Sequence, residues 1–538
     1  MAEPRKWRET TGRSTLAVAV LAIALLGGAP PAAQAGAGDL DRSFGDSGKV
    51  RTPVGDGALL GFARQADGRL LAIGGFGDDT TLVRYMPDGT LDPSFGTGGR
   101  VMPGDDRTNY DLIVQPDGKS VAVGGDSNVF RVARRHPDGS LDASFGSGGR
   151  VSTAFDGTAF ASASSVSYLA DGRLLVLGNF GSFLALARYL PDGSLDESFG
   201  SGGRVANRIR GNATARLASH VVLPDGKVVV LAYAVPVVTR DGQRVFLAML
   251  RYNADGTRDR SFGRDGQAFV INGFDGARLD LTPDGKLLVV GGAKNAPVFT
   301  ARFLPDGSRD RSYGNGGVTR ASLPDGVVDI AGIARGPSGE IFFGGRLDPD
   351  HRPPEDPSDF VIARLTPRGT LDRSFGDGGR VLTAFGPAGD KEYVSDILLE
   401  PDGRLIAVGA VRCCKSSDAF LLARYHTERF SSVGKTPRRT RFRDLTTGLR
   451  VPLRCAATCR ARVELRLDRS TARRLGLPTV VGTSSLELSG RAAATVKLSN
   501  AALRKLRARR PNELQLRVGF ETAGRTAEQT RTRLSVIS

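Results

Sequence analysis

The sequence predicts an all-β protein, a seven-bladed β-propeller followed by a small Ig-like β-sandwich, and three observations predict it. First, the stretch PDGSLDASFGSGGRV at 137–151 returns in close copies, with its SFG-type aromatic at Phe44, Phe95, Phe145, Phe199, Phe262, Tyr313 and Phe375. Intervals of 50 to 63 residues between those aromatics match the period of propellers and solenoids. Second, the segments between copies are short, apolar and bounded by Gly, Pro and Asp, as strands are and helices are not. Third, residues 431–538 hold 24 Lys and Arg against 7 Asp and Glu, while residues 1–430 hold 50 of each. The net charge of +17 therefore belongs to a separate C-terminal unit rather than to the repeats.

The N-terminus reads as a secretory signal over 1–35. Arg5, Lys6, Arg8 and Arg13 form a basic region, an apolar run follows from Leu16 to Leu26, and Ala33-Gln34-Ala35 supplies a small-residue cleavage site before Gly36. That apolar run is too short to span a bilayer, which needs about 20 residues. The expected mature protein is exported, at the cell surface or beyond it, with no membrane span. Trp7 is the chain's one tryptophan and lies in the signal, and histidine is confined to His136, His220, His351 and His426.

Within 39–426 each unit shows three landmarks in fixed order. An SFGxGGRV segment ends at Val50, Val101, Val151, Val205, Ala268, Val318 and Val381; a tight turn follows at Gly68, Gly118, Gly172, Gly226, Gly285, Gly339 and Gly403; and an ARY-like strand end follows at Arg84, Arg134, Arg188, Arg251, Arg302, Arg364 and Arg424. Four strands fit each unit, in the second 100–102, 111–115, 120–124 and 129–134. Asp-Gly supplies the positive φ that hairpin turns demand. Strands such as 174–177 and 287–290 are apolar at consecutive positions, as expected where both faces are covered by neighbouring blades. The last unit ends at Tyr425-His426 without an SFG, whereas the chain offers an orphan LDRSFG at 40–45. The N-terminal segment is therefore expected to complete the last blade.

These copies, with QPDGK and LARYLPDG beside PDGTLDPSFGTGGRV and PDGSLDESFGSGGRV, resemble the delta-60 repeat family of exported bacterial β-propeller proteins. The resemblance covers about 39–426 and implies no established activity. Tyr313 in place of Phe, SFGRDGQAF in the fourth unit and Arg368-Gly369 in the sixth are local departures.

Turns two and four of each unit are near-identical, while loops one and three differ in length and content, and alternation of strands puts the two kinds on opposite faces. The variable face is the candidate for ligand binding, because binding residues concentrate on loops held by a rigid scaffold. Its candidates are Asp105, Asp106, Arg107 and Tyr110; Arg208, Arg210 and Arg240; His351 and Arg352; and Asp390, Lys391 and Tyr393. No catalytic grouping, cofactor or metal set is legible among them. The expected role is non-enzymatic binding or scaffolding of an unidentified protein or polymer by a monomer, with a hydrolase or lyase acting at the same face as the alternative.

Carboxylates four apart, such as Asp138 and Asp142, suggest calcium at first sight. Asp before Gly builds a turn and a second Asp can cap the following backbone, so a structural role is expected and no metal. The SFGSGGRV glycines are not a phosphate loop, since no helix with Lys-Ser or Lys-Thr follows; the aromatic is expected to pack between blades. His136 and His426 occupy one repeat-equivalent position, and His220 and His351 have no evident partner. In an exported chain Cys455 and Cys459 are expected to form a disulfide, whereas for the adjacent Cys413 and Cys414 a strained vicinal disulfide and free thiols are both open.

A polar linker is expected over 427–440, then the Ig-like domain over 441–538. Alternation of Val463, Leu465 and Leu467 with polar residues, and of Leu514, Leu516, Val518 and Phe520, indicates half-buried antiparallel strands. One helix is expected from Ala501 to Arg509, capped by Ser499-Asn500. Arg504, Lys505, Arg507, Arg509 and Arg510 form a dense basic cluster suited to an anionic envelope polymer.

Overall fold

The chain divides into two units, Met1–Gln34 and Ala35–Ser538. The computed structural model describes residues 36–537 except 55–57, 76–79, 103–109, 127, 156, 158, 210–213, 236–245, 273–275, 294–295, 324–326, 348–359, 387–390, 413–417, 428–430, 434–438, 509–512 and 523–524. The expected signal over 1–35 lies outside the described residues.

Among the described residues seven four-stranded antiparallel sheets follow one another, and together they make a β-propeller. Their innermost strands are Leu59–Arg64, Asp111–Val114, Ala161–Tyr168, Thr214–Val222, Gly276–Leu281, Val327–Arg335 and Lys391–Leu399. Each of these neighbours the next, and the last neighbours the first, so they run in a closed circuit around one axis. The sheets are offset by one strand from the repeat units. Arg100–Val101 is the outer strand of the sheet that begins at Leu59, not the first strand of the next one. Tight turns join the first and second strands of each sheet, and the variable segment 102–110 links one outer strand to the next inner strand in sequence.

The offset decides how the ring closes. Lys49–Pro53 is the outer strand of the last sheet, pairing antiparallel with Ala419–His426 from Lys49 opposite Ala423 to Pro53 opposite Ala419. Leu40 bridges Tyr425, and Gly38 N donates to the carbonyl of His426 at 2.7 Å. The N-terminal segment thus completes the last sheet.

The cores lie between sheets. Val121, Val123, Phe130 and Val132 of the second pack with Leu174, Val176, Ala185 and Ala187 of the third, all buried. Leu174–Leu177 are buried at four consecutive positions, odd residues facing one neighbour and even residues the other. Each such side chain contributes about 1.5–3 kcal/mol on burial, so the sheets are held face to face chiefly by apolar area.

The C-terminal region folds over its own core. One six-stranded sheet contains the long strand Leu449–Arg466, with Val480–Val496 on one side and Glu513–Thr522 on the other. A register shift between Cys455 and Cys459 interrupts the long strand, yet Val451 and Leu453 before it and Ala461, Val463 and Leu465 after it enter a single buried cluster. Ser431–Val433 and Arg439–Arg441 are strands of this same sheet. The expected linker over 427–440 is therefore partly domain, because the backbone there finds sheet partners. Among the described residues three helices are present where one was expected: α1 (Phe442–Thr447), α2 (Arg469–Leu475) and α3 (Asn500–Ala508). Asp468 caps α2 by accepting from Thr471 N at 2.9 Å, and Ser499 Oγ accepts from Ala502 N at 3.3 Å in the first turn of α3.

Candidate functional site

The repeating residues are consumed in building the ring. Arg134 Nε donates to Asp142 Oδ2 at 2.7 Å, Nη2 donates to Ser144 Oγ at 3.3 Å, and Nη1 donates to the carbonyl of Pro191 in the next sheet at 2.5 Å. The guanidinium stands 4.5 Å over the Phe145 ring. Asp142 Oδ1 in turn accepts from Ser144 N at 3.1 Å and Ser144 Oγ at 2.6 Å, and Lys119 Nζ lies 2.9 Å from Oδ2. Burial alone would raise this carboxyl's proton affinity, but Ser144, Lys119 and Arg134 hold it well below the ordinary range. The same Arg–Asp latch recurs as Arg84–Asp92, Arg188–Asp196, Arg251–Asp259, Arg302–Asp310, Arg364–Asp372 and Arg424–Asp41.

The second carboxylate of each PDGSLD therefore caps the backbone, as the sequence suggests, and also neutralises a buried arginine, which the sequence reading missed. Among the described residues no group of three or more His, Cys, Asp or Glu is arranged to hold a metal. The aromatic packs between sheets as expected: a Cβ on Gly139 would lie 2.9 Å from the Phe95 ring, and Gly139 also has φ 95°. His136 sits 3.6 Å from Asp142 and His426 4.0 Å from Asp41, the same place in the repeat. A shallow depression of about 400 Å³ between the second and third sheets is lined by Gly146, Arg150, Asp192 and Gly193, residues of the ring-building motif.

The innermost strands hold a set of residues that does not repeat. Gly61, Asp111, Ser165, Ser219, Arg278, Gly332 and Asp396 occupy one equivalent level, opposite Ile73, Val123, Leu177, Leu231, Val290, Gly344 and Val408 of the second strands. Five inner strands carry a register shift just before this level, leaving Leu60, Ser164, Ala218, Ala331 and Ser395 without a register partner, as bulges near functional sites do. Arg278, on the fifth sheet, acts electrostatically on both Asp111 and Asp396, on the second and seventh. All three stand at the same level of the innermost strands, so their charges act on one another around the axis of the ring. All three keep partial solvent exposure.

The two carboxylates differ in what surrounds them. Asp111 Oδ1 accepts from Leu112 N at 2.8 Å, and Oδ2 accepts from Ser165 Oγ and Val166 N, both at 2.9 Å. Asp396 Oδ1 accepts from Ile397 N at 2.8 Å in the same way. In the sheet after it, however, Gly61 stands where Ser165 stands beside Asp111, so no hydroxyl meets Asp396. Asp396 Oδ2 has no hydrogen-bond partner among the described residues. Burial raises the proton affinity of both, pulled back at Asp111 by Val166, Leu112 and Ser165; at Asp396 burial dominates, Ile397 N–H and Arg278 oppose it, Asp111 adds to it, and the carboxyl is pushed up to about 7. A Cβ at Gly332 would lie 2.6 Å from Asp396 Oδ1, so glycine there leaves room for the carboxylate. Arg278 Nη1 donates to the carbonyl of Ala277 at 3.1 Å and reaches that of Ala218 at 3.5 Å, with no carboxylate in ion-pair range among the described residues.

Of the sequence candidates, Asp105, Asp106, Arg107, Arg210, Arg240, His351, Arg352 and Asp390 lie outside the described residues, as do Cys413 and Cys414. Tyr110 is exposed and immediately precedes Asp111; Tyr393 is half-buried on the strand that carries Asp396, and the side chain of Lys391 on that strand is outside the described residues. Arg208 is engaged in packing, its guanidinium 4.5 Å over the Phe183 ring. His220, left without a partner by the sequence, has one: its Nε2 lies 2.7 Å from Ser167 Oγ, and burial lowers its proton affinity to about 4, so it is neutral. In the C-terminal unit Arg504 and Lys505 are exposed on α3, and Lys505 Nζ donates to the carbonyl of Gly476 at the end of α2 at 2.7 Å. The side chains of Arg507, Cys455 and Cys459, and all of Arg509 and Arg510, are outside the described residues.

Six segments, 65–95, 115–145, 169–199, 223–262, 282–313 and 336–375, match a family model described as a domain of unknown function (DUF5122) beta-propeller. Each ends on the SFG-type aromatic. The copy absent from that series is the one whose strands come from both ends of the chain, which no uninterrupted match can span. No curated protein matches the chain. Solved structures similar in fold include a polysaccharide lyase, an ulvan lyase, at 10% identity and TM-score 0.40, covering 71% of this chain and 96% of that one. They also include Drosophila Plexin A in complex with Semaphorin 1b, at 9% identity and TM-score 0.38, covering 72% and 88%, and a regucalcin of Agrobacterium tumefaciens, at 11% and 0.31, covering 70% and 94%. Matched repeats, four-stranded sheets and the closed circuit of inner strands agree on the fold: the chain carries β-propeller repeats similar to those that this model describes.

Proposed function

We propose that the protein is an exported seven-bladed propeller that binds or scaffolds a partner through its variable-loop face and the channel opening there, and that its C-terminal Ig-like module docks to an anionic envelope polymer. The observation that carries the binding role is a division of labour. Arg, Asp, Ser and Phe of the repeats are spent on seven latches, whereas the level that holds Asp111, Arg278 and Asp396 carries Gly or Ser in the other four sheets and takes no part in the latches. Residues that vary while the scaffold repeats are where a ligand would be read. Capture from spent culture medium by the full chain, by Tyr110→Ala and by a variant with 103–109 shortened tests this. Retention of one partner by the wild type and its loss in the variants is expected; equal retention by all three overturns it.

One observation favours the alternative, a hydrolase or lyase at the same face. A carboxyl held near 7 beside a second carboxyl suits general acid–base work at neutral pH. Under that reading Asp396→Asn abolishes turnover of a captured polymer while leaving its capture intact. For the C-terminal module, docking by exposed Arg504 and its neighbours weakens steeply between low and physiological salt; salt-independent binding excludes an electrostatic mechanism.

A further inference from the structure

We infer that the central channel is a receptor for a small zwitterion, its ammonium group on Asp396 and its carboxylate on Arg278. The inference deepens the binding role proposed above and rests on it. Asp396 Oδ2 is an acceptor without a partner among the described residues, because Gly61 replaces the hydroxyl that Ser165 gives to Asp111. Arg278 spends Nη1 on two carbonyls and forms no ion pair with a described carboxylate. The two feel each other's charge across the axis but stand beyond ion-pair distance.

A cation alone would meet Asp396 but be repelled by Arg278. An anion alone would meet Arg278 but face Asp111 and Asp396. A molecule carrying both charges on a short spacer satisfies each group, with a charge-assisted hydrogen bond at either end. Four of the seven positions at this level are Gly or Ser, at 61, 165, 219 and 332, which leaves the level uncrowded. The serine beside Asp111 already serves that carboxylate, so Asp111 acts as a fixed negative neighbour rather than a second contact.

Calorimetry and thermal melting of the full chain with glycine, β-alanine and γ-aminobutyrate, against ethylamine and propionate as singly charged probes, test the inference. Saturable binding of at least one zwitterion is expected, about tenfold or more tighter than either single charge, since losing one charge-assisted contact costs at least that factor. Asp396→Asn and Arg278→Gln should each weaken it by a similar factor with unchanged circular dichroism. If Asp396→Asn does not fold, Arg278→Gln alone must shift preference from zwitterion to ethylamine. No binding by any zwitterion, equal binding of ethylamine, or binding that survives both substitutions overturns the inference. A macromolecular partner still captured by the variable loops in any of those cases would leave the broader binding role standing.

Discussion

The ring should be weakest at the place where its two ends meet, and Asp41 is the group to perturb. Asp41 accepts from Ser43 N at 3.1 Å, Ser43 Oγ at 2.7 Å, Arg404 Nη1 at 2.7 Å and Arg424 Nε at 2.9 Å. Its side chain and that of Arg424 are 8% and 4% exposed. Burial by itself would raise the carboxyl's proton affinity, but bonds from Ser43, the Arg424 charge and Arg404 hold it far below the ordinary range. Breaking a buried pair by removing one partner costs about 3–5 kcal/mol, because the other charge stays buried. Here Glu400 remains 3.8 Å from Arg424 and offsets part of that loss, so Asp41→Asn should cost about 3 kcal/mol. Urea unfolding of Asp41→Asn beside Asp142→Asn, the same latch within one continuous stretch of chain, measures it. Both midpoints should fall, and unfolding of Asp41→Asn should be faster because the closing strand detaches first. A midpoint equal to wild type for Asp41→Asn, with Asp142→Asn impaired, would refute closure by the N-terminal segment.

Other expectations are simpler. Asp396 keeps in the folded chain a proton that the unfolded chain releases, so between about pH 4 and 7 stability should fall as pH rises, by at most about 1.4 kcal/mol per unit; Asp396→Asn should flatten that slope in pH-dependent melting. The latch carboxylates, held low, act oppositely, and their stabilisation should be lost below about pH 4. Ser47 sits at φ 55° where five other copies have glycines such as Gly148 at 60° with nothing near a Cβ, and one has Asp265 at 56°; Ser47→Gly should stabilise by about 0.5 kcal/mol, as relief of left-handed strain exceeds the added entropy of the unfolded chain. Chelator should leave the melting temperature of the ring unchanged, since Asp138 and Asp142 are occupied by Ser140, Ser144, Arg134 and Lys119; a drop would revive a metal at the turns.

Much of this was open to a reader of the sequence, and the omissions have physical reasons. Turns, sheet number and the orphan LDRSFG are local patterns repeated seven times, so each copy checks the others. The blade boundary was drawn one strand early because the tight SFGxGGRV turn hides which side of it belongs to which sheet; hydrogen bonding of Arg100–Val101 to Thr81–Tyr85 decides that. The latch was visible as Arg and Asp eight residues apart, but nothing in one strand's pattern says that the pair is buried. The channel level was within reach too: it lies eight residues before the residue that follows each Asp-Gly or equivalent turn. Gly, Asp, Ser, Ser, Arg, Gly and Asp stand down that column, a variation masked by the larger variation of the loops. His220 and Ser167 meet only because two inner strands run side by side, which no local pattern encodes.

The pairing of Lys49–Pro53 with Ala419–His426 makes the ring a check on its own synthesis. The first repeat element made waits for the last, and until residues 404 and 424 have emerged Asp41 lacks its two arginines and Phe44 the guanidinium that covers it. A chain cut short in any later sheet would carry Lys49–Pro53 as an unpaired strand, exposed to proteases and to other chains. Moving that segment to the far end by circular permutation would abolish the wait: the permuted ring should fold faster than the natural one while reaching the same structure.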